Sequence, residues 1–432
     1  MCKSLEKART SVELADIFIR HADSYIAQHG ASTFQQKAVL AISRCRTAAL
    51  GGHVLCCNHC SATTISYNSC RYRHCPKCQT SKQLRWLIAR KAELLPVPYF
   101  HVVFTMPHEL NPIASYNPEV IYNLLFKSAW ATVEKLGLDK KRLNGKIGML
   151  GFLHTWGQNL SQHIHLHCLI PGGALCETVD GMQWNISKKS YLFPNRVMSK
   201  LFGKLFISGL QKAYTNHELT FKGGISNFAE QKCFSTFQSQ LAKKSWNVYA
   251  KEPFNGATGG IEYLARYFAK TAIGNERIIS MDESHVTFKW RDYADNNKTK
   301  IMKLTAHEFI RRYLSHILPD GFMRVRYFGF LASSCKKKNL GIIRSLLEPV
   351  SQDILDENEA LFCVQESNAI SHSSPDSNIE ISGTKQEPIA ELMKRITGID
   401  IEQCKNCKIG RLQKIQEIKP CLPNSNSPWD TS

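Results

Sequence analysis

Three things are scarce in this chain, and each scarcity excludes something. No run of 18 or more apolar residues occurs in its 432 residues, so no transmembrane helix is expected. The stretch from Met1 to Arg20 carries acidic side chains and lacks a compact apolar core ahead of a small-residue cleavage site. It does not read as a secretory leader, and a cytoplasmic protein is expected. Acidic residues are few beside basic ones: 36 Asp and Glu stand against 55 Lys and Arg, a formal charge of +19. That balance favours a polyanionic partner, nucleic acid before an anionic membrane. The rest is ordinary, with 43% hydrophobic residues, enough for a sizeable core and two or three domains.

Cysteine, by contrast, is plentiful, at 16 residues. Without export these thiols stay reduced, and their clustering points to metal. Cys57-Asn58-His59-Cys60 and Cys75-Pro76-Lys77-Cys78 are paired knuckles fourteen residues apart. Zinc takes four soft ligands in a tetrahedron, so Cys57, Cys60, Cys75 and Cys78 are the expected structural Zn²⁺ ligands. Cys45, His53, Cys56, Cys70 and His74 lie nearby and can replace a ligand or serve a second zinc. Arg71, Arg73 and Lys77, with Tyr72 among them, suit phosphate contact and base stacking, although a solvated basic face competes with that reading. The pair Cys404 and Cys407 has no clear second half.

The patterning predicts an α+β protein. Leu14, Ile17, Phe18, Ala22, Tyr25 and Ile26 recur at helical spacing, Gly30 ends the run, and a second helix runs from Ser32 to Gly51-Gly52. Residues 1–52 are thus an N-terminal helical region and 53–95 a zinc-binding, DNA-contacting module. Residues 96–350 read as the catalytic domain, with strands over 99–105, 146–157, 163–170 and 321–331 and helices over 117–136, 196–214, 230–250, 259–273 and 305–317. A strand and turn region covers 285–303. Residues 351–390, rich in Ser, Asp, Glu and Asn, read as a disordered linker, and 391–432 as a short tail.

His163-Ile164-His165-Leu166-His167 lies in an otherwise apolar strand. Strand side chains alternate, so His165 and His167 share a face and can chelate one ion. The preceding strand folds back as a hairpin. With residues 160 and 161 at the turn centre, His154 falls opposite His167 and Gln158 opposite His163, and either His154 or Gln158 can supply a third ligand. After Gly259-Gly260 a helix carries Tyr263 and Tyr267 four residues apart, hence on one face. Lys270 follows on much the same side, placed to offset phosphate charge, and Arg266 between them is a further candidate DNA contact. Tyrosines at this spacing are commonly core residues; a histidine metal site in a basic chain favours nucleophiles instead. A divalent ion withdraws charge from a phosphodiester, and a tyrosine oxygen can then attack it.

Taken together these residues resemble the HUH (His-hydrophobe-His) endonucleases and, more closely, the two-tyrosine rolling-circle transposases of the IS91-like family. The resemblance rests on Cys45 to Gly52, Arg73 to Cys78, Phe104 to Leu110, His154 to Leu160, His163 to His167, Pro171 to Gly173, Tyr263 to Tyr267 and Glu308 to Arg312. It covers roughly residues 30–335 and leaves out the linker and tail. It implies an antiparallel sheet carrying the histidines, a helix carrying the tyrosines, and Mg²⁺ or Mn²⁺. It also implies a 5′-phosphotyrosine intermediate and, as partners, single-stranded DNA at insertion-sequence ends and target DNA. The middle of His163-Ile164-His165, where the family often has proline, departs from the pattern without touching the ligands. Two alternatives remain at this point: a replication initiator or relaxase of the same superfamily, and a non-catalytic zinc-dependent DNA-binding regulator.

Overall fold

The computed structural model describes residues 11–78, 80–188, 191–251, 253, 270–348, 388–398 and 400–421. The expected 351–390 linker lies outside them except for its last three residues. The expected pair of N-terminal helices forms as α1 (Leu14–His29) and α2 (Thr33–Arg44), the second stopping at Arg44, short of the expected Gly51-Gly52, because Cys45 is already in extended backbone. Each starts on a reciprocal cap: Asp16 accepts from the Glu13 backbone N–H at 2.8 Å, and Gln35 from that of Ser32 at 2.9 Å. Next come β1 (Gly52–Cys57), β2 (Thr63–Tyr67) and α3 (Thr80–Lys91).

The next region opens with β3 (Tyr99–Thr105), α4 (Asn111–Tyr116), α5 (Pro118–Leu138), β4 (Gly148–Trp156) and β5 (Gln162–Pro171). A small hairpin of β6 (Gly173–Thr178) and β7 (Gly181–Ile186) follows, then α6 (Asn195–Thr215), α7 (Gln231–Lys243) and β8 (Asn247–Ala250). The helix expected over 230–250 therefore stops at Lys243. Trp246 buries itself beyond that end, and the chain turns into an edge strand. The outer edge of β8 is tied down by α6, with the Val248 N–H donating to Ser199 Oγ at 3.3 Å and that of Ala250 to Asn195 Oδ1 at 3.1 Å. The rest comprises β9 (Ile278–Met281), β10 (His285–Asp292), β11 (Lys298–Thr305), α8 (Ala306–Leu314), β12 (Val325–Gly329), α9 (Lys336–Leu347), α10 (Ile389–Thr397) and β13 (Leu412–Ile418).

The central sheet is five-stranded and antiparallel, in the order β12-β4-β5-β3-β8. Its two faces follow from alternation. Phe100, Val102 and Phe104 of β3, with Leu166, Cys168 and Ile170 of β5, face the core packed against α5 and α6. The opposite face is split along its length. Tyr99, Leu150, Phe152 and Leu169 pack under α9, Trp184 and Phe330. Further along the same face β3, β4 and β5 carry His101, His154, His165 and His167, where the apolar cover gives way. A third core joins α1 and α2 to α8 and the β10–β11 ribbon, with Phe18 edge-on to Tyr313 at 5.5 Å.

Candidate functional site

The histidines meet because three strands present them on one sheet face. His154 pairs across from His165, and His101 lies one diagonal step from His167. The ligand atoms of His154, His165 and His167 all lie within 4.8 Å of one another. His165 Nε2 and His167 Nε2 are 3.0 Å apart. Nitrogens about 2 Å from a common ion sit at such separations, so the trio has the spacing of a preformed chelate.

Hydrogen bonds fix which nitrogens face inward. His165 donates Nδ1–H to the His163 carbonyl at 2.7 Å, which leaves its Nε2 lone pair for the site. His167 Nδ1 is 2.8 Å from His101 Nε2, and the two rings stack 13° from parallel. His101 is therefore the outer partner that orients His167. Burial holds the His165 pKa down to about 3, with His163 adding to the effect, and His101 down to about 4. His167 is also held well below its ordinary value, by burial first and then by His154 and His165. Neutral imidazoles with inward lone pairs are what a metal requires. His101 escaped the sequence reading because a single histidine in an apolar strand looks like a packed core residue.

The hairpin register differs from expectation. His154 faces His165, not His167, and Phe152 faces His167. The reason is a bulge between His154 and Trp156 and a tight turn in which Gly157 N–H donates to Ser161 O at 2.9 Å. Leu160 sits at φ 61° within that turn. The turn is clamped from outside. Arg277 donates to the Gln158 carbonyl, Arg312 to the Asn159 carbonyl at 3.1 Å, and His316 Nε2–H to the Leu160 carbonyl at 3.0 Å. Gln158 itself points away, its amide bonded to Tyr293 Oη at 3.0 Å. Of the two candidate third ligands, the structure brings His154 to the pair and leaves Gln158 out.

Tyr263, Arg266 and Tyr267 lie outside the described residues. Lys270 lies within them, its carbonyl accepting from Arg324 at 3.4 Å. Its charge is near enough to disfavour protonation of both His165 and His167. Desolvation, then Arg277 and Arg291, lower the Lys270 pKa in turn.

The expected zinc set is regrouped. Cys75 and Cys78 join Cys45 and Cys70, while Cys57 and Cys60 join Cys404 and Cys407. In each group the four sulfurs lie within 4.8 Å of one another. Cys70 Sγ and Cys78 Sγ are 3.8 Å apart, close to the ~3.8 Å edge of a tetrahedron with Zn–S bonds of ~2.3 Å. The regrouping has a simple cause. Cys75 and Cys78 sit in a loop packed with Cys45 and Cys70 against α1 and α2, whereas the Cys57–Cys60 turn joins β1 to β2 on a sheet that β13 completes.

Two of the expected DNA contacts are engaged elsewhere. The Arg73 guanidinium donates to the carbonyls of Leu318 at 3.2 Å and Pro319 at 2.6 Å and also reaches Phe322 O. Lys77 is ion-paired with Glu13, and its side chain is only 9% exposed. Both act as braces between the cysteine loop and its surroundings. Arg71, with φ 55°, is exposed.

Comparison with known proteins agrees with this architecture. A family described as "Putative transposase" matches residues 148–339, spanning the histidine hairpin, and a "Transposase zinc-binding domain" matches residues 17–106. The chain is 38% identical over 426 residues to "Putative transposase y4qJ" of Sinorhizobium fredii, covering 98% of this chain and 100% of that one. It is 26% identical over 313 residues to "Transposase for insertion sequence element IS801" of Pseudomonas savastanoi pv. phaseolicola, covering 71% and 73% of the two. No solved structure matches. Among the described residues no helix is long and apolar enough to cross a membrane. The chain belongs to the IS91-like family of insertion-sequence transposases, with a zinc-binding domain ahead of its histidine-bearing sheet.

Proposed function

We propose that this transposase nicks and rejoins single-stranded DNA at insertion-sequence ends through a 5′-phosphotyrosine, in support of rolling-circle transposition. The observation that carries the reading is the cluster of three histidines, His154, His165 and His167, whose ligand atoms converge within 4.8 Å. These residues hold Mg²⁺ or Mn²⁺, and nitrogen donors favour Mn²⁺. The ion supplies charge withdrawal from the phosphate oxygens and a template for in-line displacement. Cys45, Cys70, Cys75 and Cys78 hold a structural Zn²⁺ that keeps the cysteine loop folded.

Tyr263 and Tyr267 act as the nucleophiles. A tyrosine oxygen attacks phosphorus, the 3′ oxygen leaves and takes up a proton, and the 5′ end stays on the enzyme. A free 3′-hydroxyl reverses the step by attacking the phosphotyrosine, so joining needs no ATP. Four residues apart on the expected helix, the two side chains would leave one face from Cβ atoms about 6 Å apart and could serve one metal site in turn. Lys270, three residues beyond Tyr267 and electrostatically close to His165 and His167, offsets phosphate charge. Arg71 and Arg266 contact the DNA backbone.

The test is adduct trapping on labelled single-stranded DNA with Mn²⁺, using Tyr263→Phe, Tyr267→Phe and the double variant. Each single variant should retain an adduct on the remaining tyrosine, and the double variant should form none. An adduct in the double variant sinks the assignment. If one single variant loses every adduct and the other behaves as wild type, one tyrosine suffices.

A further inference from the structure

The family's zinc-binding match ends at residue 106, yet four of the cysteines meet across the whole chain. We infer that Cys57, Cys60, Cys404 and Cys407 form a second, split zinc site that clasps the C-terminal segment onto the N-terminal module. It is independent of the catalytic reading.

The geometry is that of two facing knuckles. Cys57 Sγ and Cys407 Sγ are 3.7 Å apart, as are Cys60 Sγ and Cys404 Sγ. Both distances match the ~3.8 Å edge of a four-thiolate zinc tetrahedron. The two turns are built alike. In one, Ser61 N–H donates to Cys57 O at 3.1 Å with Ser61 at φ 55°; in the other, Lys408 N–H donates to Cys404 O at 2.9 Å with Lys408 at φ 59°. Backbone N–H groups point at the sulfurs in both. His59 N–H reaches Cys57 Sγ at 3.4 Å, and Gly410 N–H reaches Cys407 Sγ at 3.3 Å. Such bonds stabilise thiolate over thiol.

The knuckles are also locked to each other. Asn58 N–H donates to Arg411 O at 3.0 Å, and Arg411 N–H to Asn58 Oδ1 at 2.8 Å. Position 410 has no room for a side chain, because a Cβ there would come within 2.4 Å of Cys57 Sγ and 2.6 Å of His59 Cβ. From this point β13 pairs antiparallel with β1 from Cys57↔Leu412 to Gly52↔Ile418, completing the sheet β13-β1-β2. That small sheet has little apolar core: β2 is almost wholly exposed, and most of β13 as well. Metal is the physical means by which so small a ribbon holds a fixed shape.

The experiment uses the full chain purified under reducing conditions. Elemental analysis should find two zinc ions per chain in the wild type and one in Cys404→Ser/Cys407→Ser. As a second readout, a protease site is inserted between residues 349 and 387 and cut. The C-terminal fragment should stay bound in the zinc-loaded protein, leave when a chelator is added, and leave without chelator in the double variant. The inference is overturned by wild-type protein with one zinc that the double substitution does not change. It is overturned equally by a cut fragment that stays bound in the double variant, or by thiol titration showing Cys57–Cys407 and Cys60–Cys404 disulfides in place of metal.

Discussion

His154 and Gln158 are alike on paper: both flank the hairpin, and both offer a metal-ligand atom. The side-chain directions separate them, since His154 shares the sheet face with His165 whereas Gln158 bonds Tyr293. His154→Ala should therefore abolish Mn²⁺-dependent nicking, while Gln158→Ala should keep most of it; the reverse pattern in a nicking assay would refute the ligand set. His101 acts one step removed, through His167. Its replacement by alanine should weaken metal affinity about 10–100-fold, the usual effect of removing an outer partner. Excess Mn²⁺ should restore nicking, and a titration of rate against Mn²⁺ measures the shift.

At the scale of elements, the hairpin that carries His154, His165 and His167 is held by α8 and the residues just after it. His316 is 1% exposed; it donates Nε2–H to Leu160 O and receives the Thr155 hydroxyl on Nδ1 at 3.3 Å, which fixes the neutral tautomer. Burial holds its pKa down to about 4, against 6.5 for an exposed histidine. The folded state thus resists a proton that the unfolded chain accepts. The contribution is fully present above pH 6.5 and is lost as pH falls toward 4, up to about 3 kcal/mol from this group. Denaturant unfolding at pH 7 and pH 4.5 should show the loss, and His316→Gln should flatten that slope. An equal slope in the variant would assign the acid sensitivity to other groups. Glu308 on α8 is shifted in the same direction for a different reason: Arg311 first, then Arg312, favour its carboxylate and hold its pKa down to about 2, so its contribution too is lost as pH falls.

Over the whole molecule, the +19 charge is the feature most exposed to experiment. Binding to single-stranded DNA should weaken steeply with salt, about 300-fold between ~50 and ~200 mM if roughly six phosphates are contacted. Arg71→Ala should lower the salt slope. Arg73→Ala should instead destabilise the fold, because it removes the donor that satisfies the Leu318 and Pro319 carbonyls. A flat salt response would mean that the excess charge does not face the nucleic acid.

What the sequence determined by itself was local. The pleat of a strand puts His165 and His167 on one face whatever surrounds them, and Ser32 with Gln35, or Pro107 after Thr105, marks element ends through backbone chemistry. The α+β order, the helices α1, α5, α6 and α8 and four strands of the central sheet followed from periodicity for the same reason, whereas β1, β2, β6 to β9, β13, α3, α4, α9 and α10 did not. Tertiary structure decided the rest. The hairpin register depended on a bulge and on a turn clamped by Arg277, Arg312 and His316, residues more than a hundred positions away. The fates of Arg73 and Lys77 depended on the carbonyls and the carboxylate that folding set beside them. The cysteines are the clearest case. All thiols are chemically equivalent, so nearness in sequence paired Cys57 and Cys60 with Cys75 and Cys78. Only the packing of β13 on β1 brings Cys404 and Cys407 to the first knuckle, and only the fold of the N-terminal helices leaves Cys45 and Cys70 for the second.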